Sequence, residues 1–82
     1  MPDLLVYSRH GCHLCELLIE DLLGLVQGRA KVRVLDIDSR DDWRLAYDTR
    51  VPMVELDGHV LCEYTLDRDL VLTALSRLAE AG

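Results

Sequence analysis

Between Leu4 and Asp36 the spacing of apolar residues changes twice, and that change limits the possible folds more than any other feature of the chain. Residues 4–8, "LLVYS", form a short apolar run with a β-branched and an aromatic residue, which predicts a buried strand. The following "RHG" ends it. From His13 onward Leu14, Leu18, Leu22 and Leu25 recur every three or four residues, as do Cys15, Leu18, Ile19, Leu22 and Val26. Glu16, Glu20 and Asp21 fall on the other side, so the period is that of an amphipathic helix. Gly28 suits the position just past its end. "KVRVLD", residues 31–36, alternates and predicts a second strand. Strands joined through a helix are expected to be parallel, with a right-handed crossover.

The remainder adds three elements. Ser39 and Asp42 have capping-box spacing and Asp41 adds negative charge, so a short helix is expected to run to about Tyr47. Pro52 closes off any helical continuation, because the residue before a proline favours extended geometry. "MVELDGHVLC" predicts a hairpin, with Met53–Leu56 and His59–Cys62 flanking the turn dipeptide Asp57-Gly58. Thr65 is the expected cap of a last helix. Asp67 would lie in its first turn, and Leu66, Leu70, Ala74, Leu75 and Leu78 form its apolar stripe. The order β-α-β-α-β-β-α predicts an α/β fold: a mixed four-stranded sheet with helices on both faces. At 82 residues, with no repeat or linker, the whole chain (1–82) is expected to form one domain.

Composition excludes several classes of partner. The formal net charge is −6, which argues against a nucleic-acid partner, because phosphate contacts need a basic face. No apolar run approaches the ~20 residues of a membrane span, and the first residues do not read as a secretory signal. The three cysteines, Cys12, Cys15 and Cys62, are too few for a secreted disulfide scaffold. A cytoplasmic location is therefore expected.

Cys12 and Cys15 carry the chemistry. Cys12 falls where the first strand hands over to the first helix, so its sulfur would meet the unsatisfied N–H groups of the first turn. Their partial positive charge favours a thiolate. Cys15 lies three residues on and shares a helical face with Cys12. Two structural cysteines are the bland alternative, since unpaired cysteine is among the most buried residue types. A C-x-x-C at a strand-to-helix junction of a βαβ unit favours the redox reading.

These stretches, "YSRHGCHLC" and "TRVPMVELDG", together with the element order, resemble the thioredoxin superfamily, and its glutaredoxin-like branch most closely. The resemblance spans most of the chain. It implies a thiol–disulfide oxidoreductase of cell redox homeostasis, in which Cys12 is the nucleophile and Cys15 the resolving thiol. It further implies that Pro52 is cis and that Val51 docks an extended substrate. Arg9 matches a basic residue that helps bind a glutathione carboxylate and supports the thiolate. His13, next to Cys12, either stabilises the thiolate when protonated or is a solvated residue of the helix start. No metal or bound cofactor is implied. The expected partners are a disulfide-containing protein or a glutathione mixed disulfide, with glutathione or a thioredoxin-type reductase as electron donor. Two positions depart from the family pattern. His13-Leu14 replaces the usual pair between the cysteines, and Cys62-Glu63 replaces the Gly-Gly that lets glutathione approach the backbone.

Two other readings compete. Cys12, Cys15, His59 and Cys62 are a possible set of zinc ligands. The stretch between the two pairs is longer than in common zinc modules, and residues three apart in a regular strand face opposite ways. The other reading is a thioredoxin-fold binding module without turnover. Cys62 is expected to be a buried small residue of the last strand, and Trp43, Tyr47 and Tyr64 to be packing groups.

Overall fold

The computed structural model describes residues 1–81. Its elements are β1 (Asp3–Ser8), α1 (His13–Val26), β2 (Lys31–Asp36), a 3₁₀ turn (Ile37–Ser39), α2 (Asp41–Tyr47), β3 (Met53–Leu56), β4 (His59–Glu63) and α3 (Arg68–Ala81). The sheet order is β2-β1-β3-β4, with β1 and β2 parallel and the other pairs antiparallel. The strand–helix–strand spacing therefore produces the expected parallel pair, and Asp57 and Gly58, at φ 55° and 83°, form the tight hairpin turn. No helix among the described residues is long and apolar enough to cross a membrane.

Alternation along the central strands divides the core in two. Leu4 and Val6 of β1 and Val54 and Leu56 of β3 face Leu18, Leu22 and Val26 of α1 and Val71 and Leu75 of α3. The opposite face of the sheet presents Leu5, Tyr7 and Met53 to Ile37 and to Trp43 and Tyr47 of α2. Tyr7 meets Trp43 edge-on with ring centroids 5.6 Å apart, and Tyr47 at 4.6 Å. Tyr47 and Trp43 are thus packing groups, as expected. Burial, with Glu55 and Tyr47 as secondary causes, pushes the Tyr7 phenol up to about 12.

Three local expectations are corrected. Ser39 does not cap α2. It ends the 3₁₀ turn, and its hydroxyl donates to the Asp36 carbonyl at 2.6 Å. Asp42 is held instead by Arg40, at 3.0 and 2.8 Å, so the capping box does not form. That guanidinium holds the Asp42 carboxyl below its usual range. Thr65 does not cap α3 either; Asp67 does, its carboxylate accepting from the Leu70 amide at 3.1 Å. Finally, β4 is not regular. Val54 opposes Cys62 while Glu55 opposes Val60, so Leu61 is an extra residue. The bulge turns His59, opposite Leu56, and Cys62, opposite Val54, to the same face of the sheet.

Leu22 is fully buried and Leu45 is 82% exposed. Leu22→Ala is expected to cost about 2–5 kcal/mol in urea denaturation, whereas Leu45→Ala stays within about 0.5 kcal/mol of the parent. Tyr7 adds a pH term. The fold favours its neutral phenol, so this contribution is intact below pH 10 and disappears as pH rises towards about 12. Ring-labelled NMR titration of Tyr7, beside alkaline unfolding, measures it.

Candidate functional site

A single turn aims Cys12. The Cys12 amide donates to the Arg9 carbonyl at 3.1 Å, and Gly11 between them has φ 78°, which a side chain would strain. The chain leaves β1, reverses, and enters α1 with Cys12 as the N-cap. The Cys12 sulfur accepts a hydrogen bond from the Cys15 amide at 3.2 Å. It takes the place a serine or aspartate oxygen fills at other helix starts. Cys12 is partly exposed, whereas Cys15 is 1% exposed beneath it. The two are joined as a disulfide with Cα atoms 5.2 Å apart, inside the usual range for such a bond.

The flanking residues are tied into the fold by charge. Arg9 donates to Asp38 at 3.1 and 3.2 Å and to Asp48 at 2.7 Å, joining the end of β1 to the 3₁₀ turn and to the residue after α2. These bonds raise the Arg9 pKa further, Asp48 contributing most. Its guanidinium makes no hydrogen bond to either sulfur among the described residues. His13 is largely exposed, with Nδ1 3.8 Å from the Glu16 carboxylate.

Val51–Pro52 is cis and leads into β3 beside this end of the sheet. The Val51 amide and carbonyl make no hydrogen bond within the described chain, which leaves one backbone donor and one acceptor unpaired there. Its neighbours are fixed. Arg50 Nε donates to Glu63 at 2.8 Å, and a second guanidinium nitrogen donates to the same oxygen. The Arg50 guanidinium also lies over the Tyr47 ring, 5.8 Å from its centroid. Tyr64, at φ 67°, donates from its amide to the Pro52 carbonyl at 2.7 Å and from its hydroxyl to the Thr49 carbonyl.

Tyr64 is thus more than a packing group, and Arg50, Asp38 and Asp48 are site residues that the sequence reading missed. Charge alone could not have found them. Asp38 and Asp48 are remote from Arg9 in sequence, and only the fold brings them together. Glu63 stood out at the sequence level as an anion near the site, but its pairing with Arg50 did not.

The zinc alternative does not assemble. His59 lies at the hairpin tip, opposite Leu56, while the cysteine pair follows Ser8 at the other end of β1. Among the described residues no cluster of three or more His, Cys, Asp or Glu side chains is placed to hold an ion. Cys62 packs half-buried against the α1–α3 core, and that burial pushes its thiol up.

The sheet order, the two helical layers and a C-x-x-C pair at a helix start define a thioredoxin-type α/β domain suited to redox chemistry. The model of the glutaredoxin-like domain family (DUF836) matches residues 3–76, and the chain belongs to that family. No curated protein matches its sequence. Solved structures agree on the fold. A structural-genomics target protein from X. campestris, XcR50, aligns with TM-score 0.68 and 24% identity, covering 90% of this chain and 96% of its own. A malarial protein aligns with TM-score 0.60 and 17% identity, covering 92% of each. Glutaredoxin C1 of Populus tremula × tremuloides, in its holo form, aligns with TM-score 0.51 and 26% identity, covering 90% of this chain and 74% of its own.

In the oxidised protein, Cys62 is the free thiol, and burial disfavours its thiolate. Iodoacetamide at pH 8 is expected to label Cys62 alone, and more slowly than a cysteine peptide, as read by mass spectrometry.

Proposed function

We propose that the chain is a glutaredoxin-like thiol–disulfide oxidoreductase acting through Cys12 and Cys15. The observation that carries this reading is the asymmetry of the pair: a partly exposed sulfur at a helix N-cap, and a buried partner at disulfide distance. In the reduced protein the α1 N-terminus favours the Cys12 thiolate. Cys12 attacks a substrate disulfide, forms a mixed disulfide, and releases the first substrate sulfur as a thiolate. Cys15, having given up its proton, then attacks the Cys12 sulfur. The second substrate thiolate leaves, the Cys12–Cys15 bond closes, and two electrons have passed to the substrate. An external thiol, glutathione or a thioredoxin-type reductase, reverses the sequence and restores the dithiol.

Val51 and Pro52 serve as the docking edge in this reading. The unpaired Val51 backbone offers one donor and one acceptor to an extended segment flanking the substrate cysteine. Arg9 acts at a distance. It holds the β1–α1 turn through Asp38 and Asp48, and it adds positive charge near the thiolate only to the extent those carboxylates leave it. His13 contributes when protonated. The reducing cytoplasm suits a pair that must be regenerated, and the acidic chain suits protein or peptide substrates better than nucleic acid.

Cys12 reactivity in a Cys15→Ser variant tests the assignment. Iodoacetamide at pH 6–7 should modify Cys12 several-fold faster than a cysteine peptide, whose pKa is ~8.5. The same variant should trap a mixed disulfide with a substrate. Ordinary reactivity and no trapped adduct would instead indicate a binding module that has kept the fold without turnover.

A further inference from the structure

A partner docked on Val51 has Arg50 next to it in the chain. Arg50 immediately precedes Val51, and Glu63 pairs with Met53, the residue after Pro52. The Arg50–Glu63 bond therefore lies beside the docking edge. Its side chains are only partly open to water, at 42% and 30% exposure. Arg9, at the end of β1, is engaged by two carboxylates. Arg9 and Arg50 are therefore both held by carboxylates of this chain, whereas Arg68, at the start of α3, is 61% exposed and lies 3.7 Å from Asp21.

We propose that Glu63 sets partner choice by sequestering Arg50. A small thiol whose recognition depends on carboxylates, such as glutathione, finds the cation next to Val51 already paired. A protein disulfide needs none, because its uncharged main chain can satisfy the Val51 amide and carbonyl. The partner class assigned by the geometry is accordingly an extended protein segment around a disulfide, and the tripeptide is a poor fit. Glu63 is a specificity-determining residue in this scheme and does not touch the reacting sulfurs. Tyr64 supports it. Its two bonds to Thr49 and Pro52 hold the segment carrying Arg50 against the end of β4. The inference rests on the reading of Val51–Pro52 as the docking edge.

Binding separates this proposal from the redox chemistry. S-methylglutathione is titrated by NMR into a Cys12→Ser/Cys15→Ser protein, which cannot cycle. Glu63→Gln in that background should tighten binding by about fivefold, the scale of one released ion-pair partner. Adding Arg50→Gln should abolish the gain. Glu63→Ser serves as the second variant if the glutamine protein does not fold. Binding unchanged by Glu63→Gln, or tightened equally without Arg50, overturns the proposal. So does a Glu63-intact protein that already binds the probe as tightly as the variant. In protein with both cysteines, Glu63→Gln should raise the ratio of turnover with glutathione to turnover with dithiothreitol. Cycling with both reductants at an unchanged ratio counts against Glu63 while leaving Cys12 as nucleophile. Absence of cycling with dithiothreitol overturns the oxidoreductase reading itself and this refinement with it.

Discussion

The first amide groups of a helix have no partners within the helix, and one that starts at the end of a buried strand must find acceptors there. In this chain the acceptor is a sulfur. The bond from the Cys15 amide to Cys12 completes the start of α1, and it brings the more exposed sulfur to the positive end of that helix. The position of that helix end follows from the crossover. The β1-α1-β2 unit places the N-terminus of α1 at the C-terminal end of β1, an inner strand of the sheet. Packing of Leu18, Leu22 and Val26 under the sheet then holds the axis in place. The polar terminus is fixed by the apolar face behind it.

The second half of the chain surrounds this end with charge. Asp38 lies in the 3₁₀ turn after β2, Asp48 follows α2, and Glu63 closes β4, so the three carboxylates cluster where strands and helices hand over to loops. Each holds an arginine from a loop next to the cysteines. Partly exposed pairs of this kind contribute modestly to stability. Their greater effect is to fix loop geometry and to reduce the charge presented to a visitor. A site flanked by two arginines is thereby much less cationic than its sequence suggests.

Much of the architecture was legible in the sequence because it rests on periodicity. The change from a short apolar run to helical spacing at His13, and the Asp57-Gly58 dipeptide, locate the elements nearly to the residue. Capping was less legible. Ser39 and Thr65 have the chemistry of caps, but Asp36 sets up a 3₁₀ turn before α2, and the chain after Glu63 turns through Tyr64 so that Asp67 reaches the α3 amides. Around the candidate site, local signals placed Cys12 and Cys15 at the strand-to-helix junction, and family likeness anticipated the cis Val51-Pro52 bond. The Arg9 and Arg50 pairings depend on contacts between distant elements, which no local pattern encodes.

The bulge at Leu61 has a consequence for self-association. β2 and β4 are the two edges of the sheet, and an edge strand with free backbone groups is a template on which another copy can grow. On β4 the extra residue interrupts the regular succession of donors and acceptors and bends the strand. On β2 the exposed side chains of Lys31, Arg33 and Asp36 place charge along the rim. A neighbouring chain would meet an uneven edge on one side and a charged one on the other. Both margins thus depart from a regular, uncharged template, although Val34 and Val60 leave an apolar side chain exposed on each, while the main chain stays unpaired at Val51.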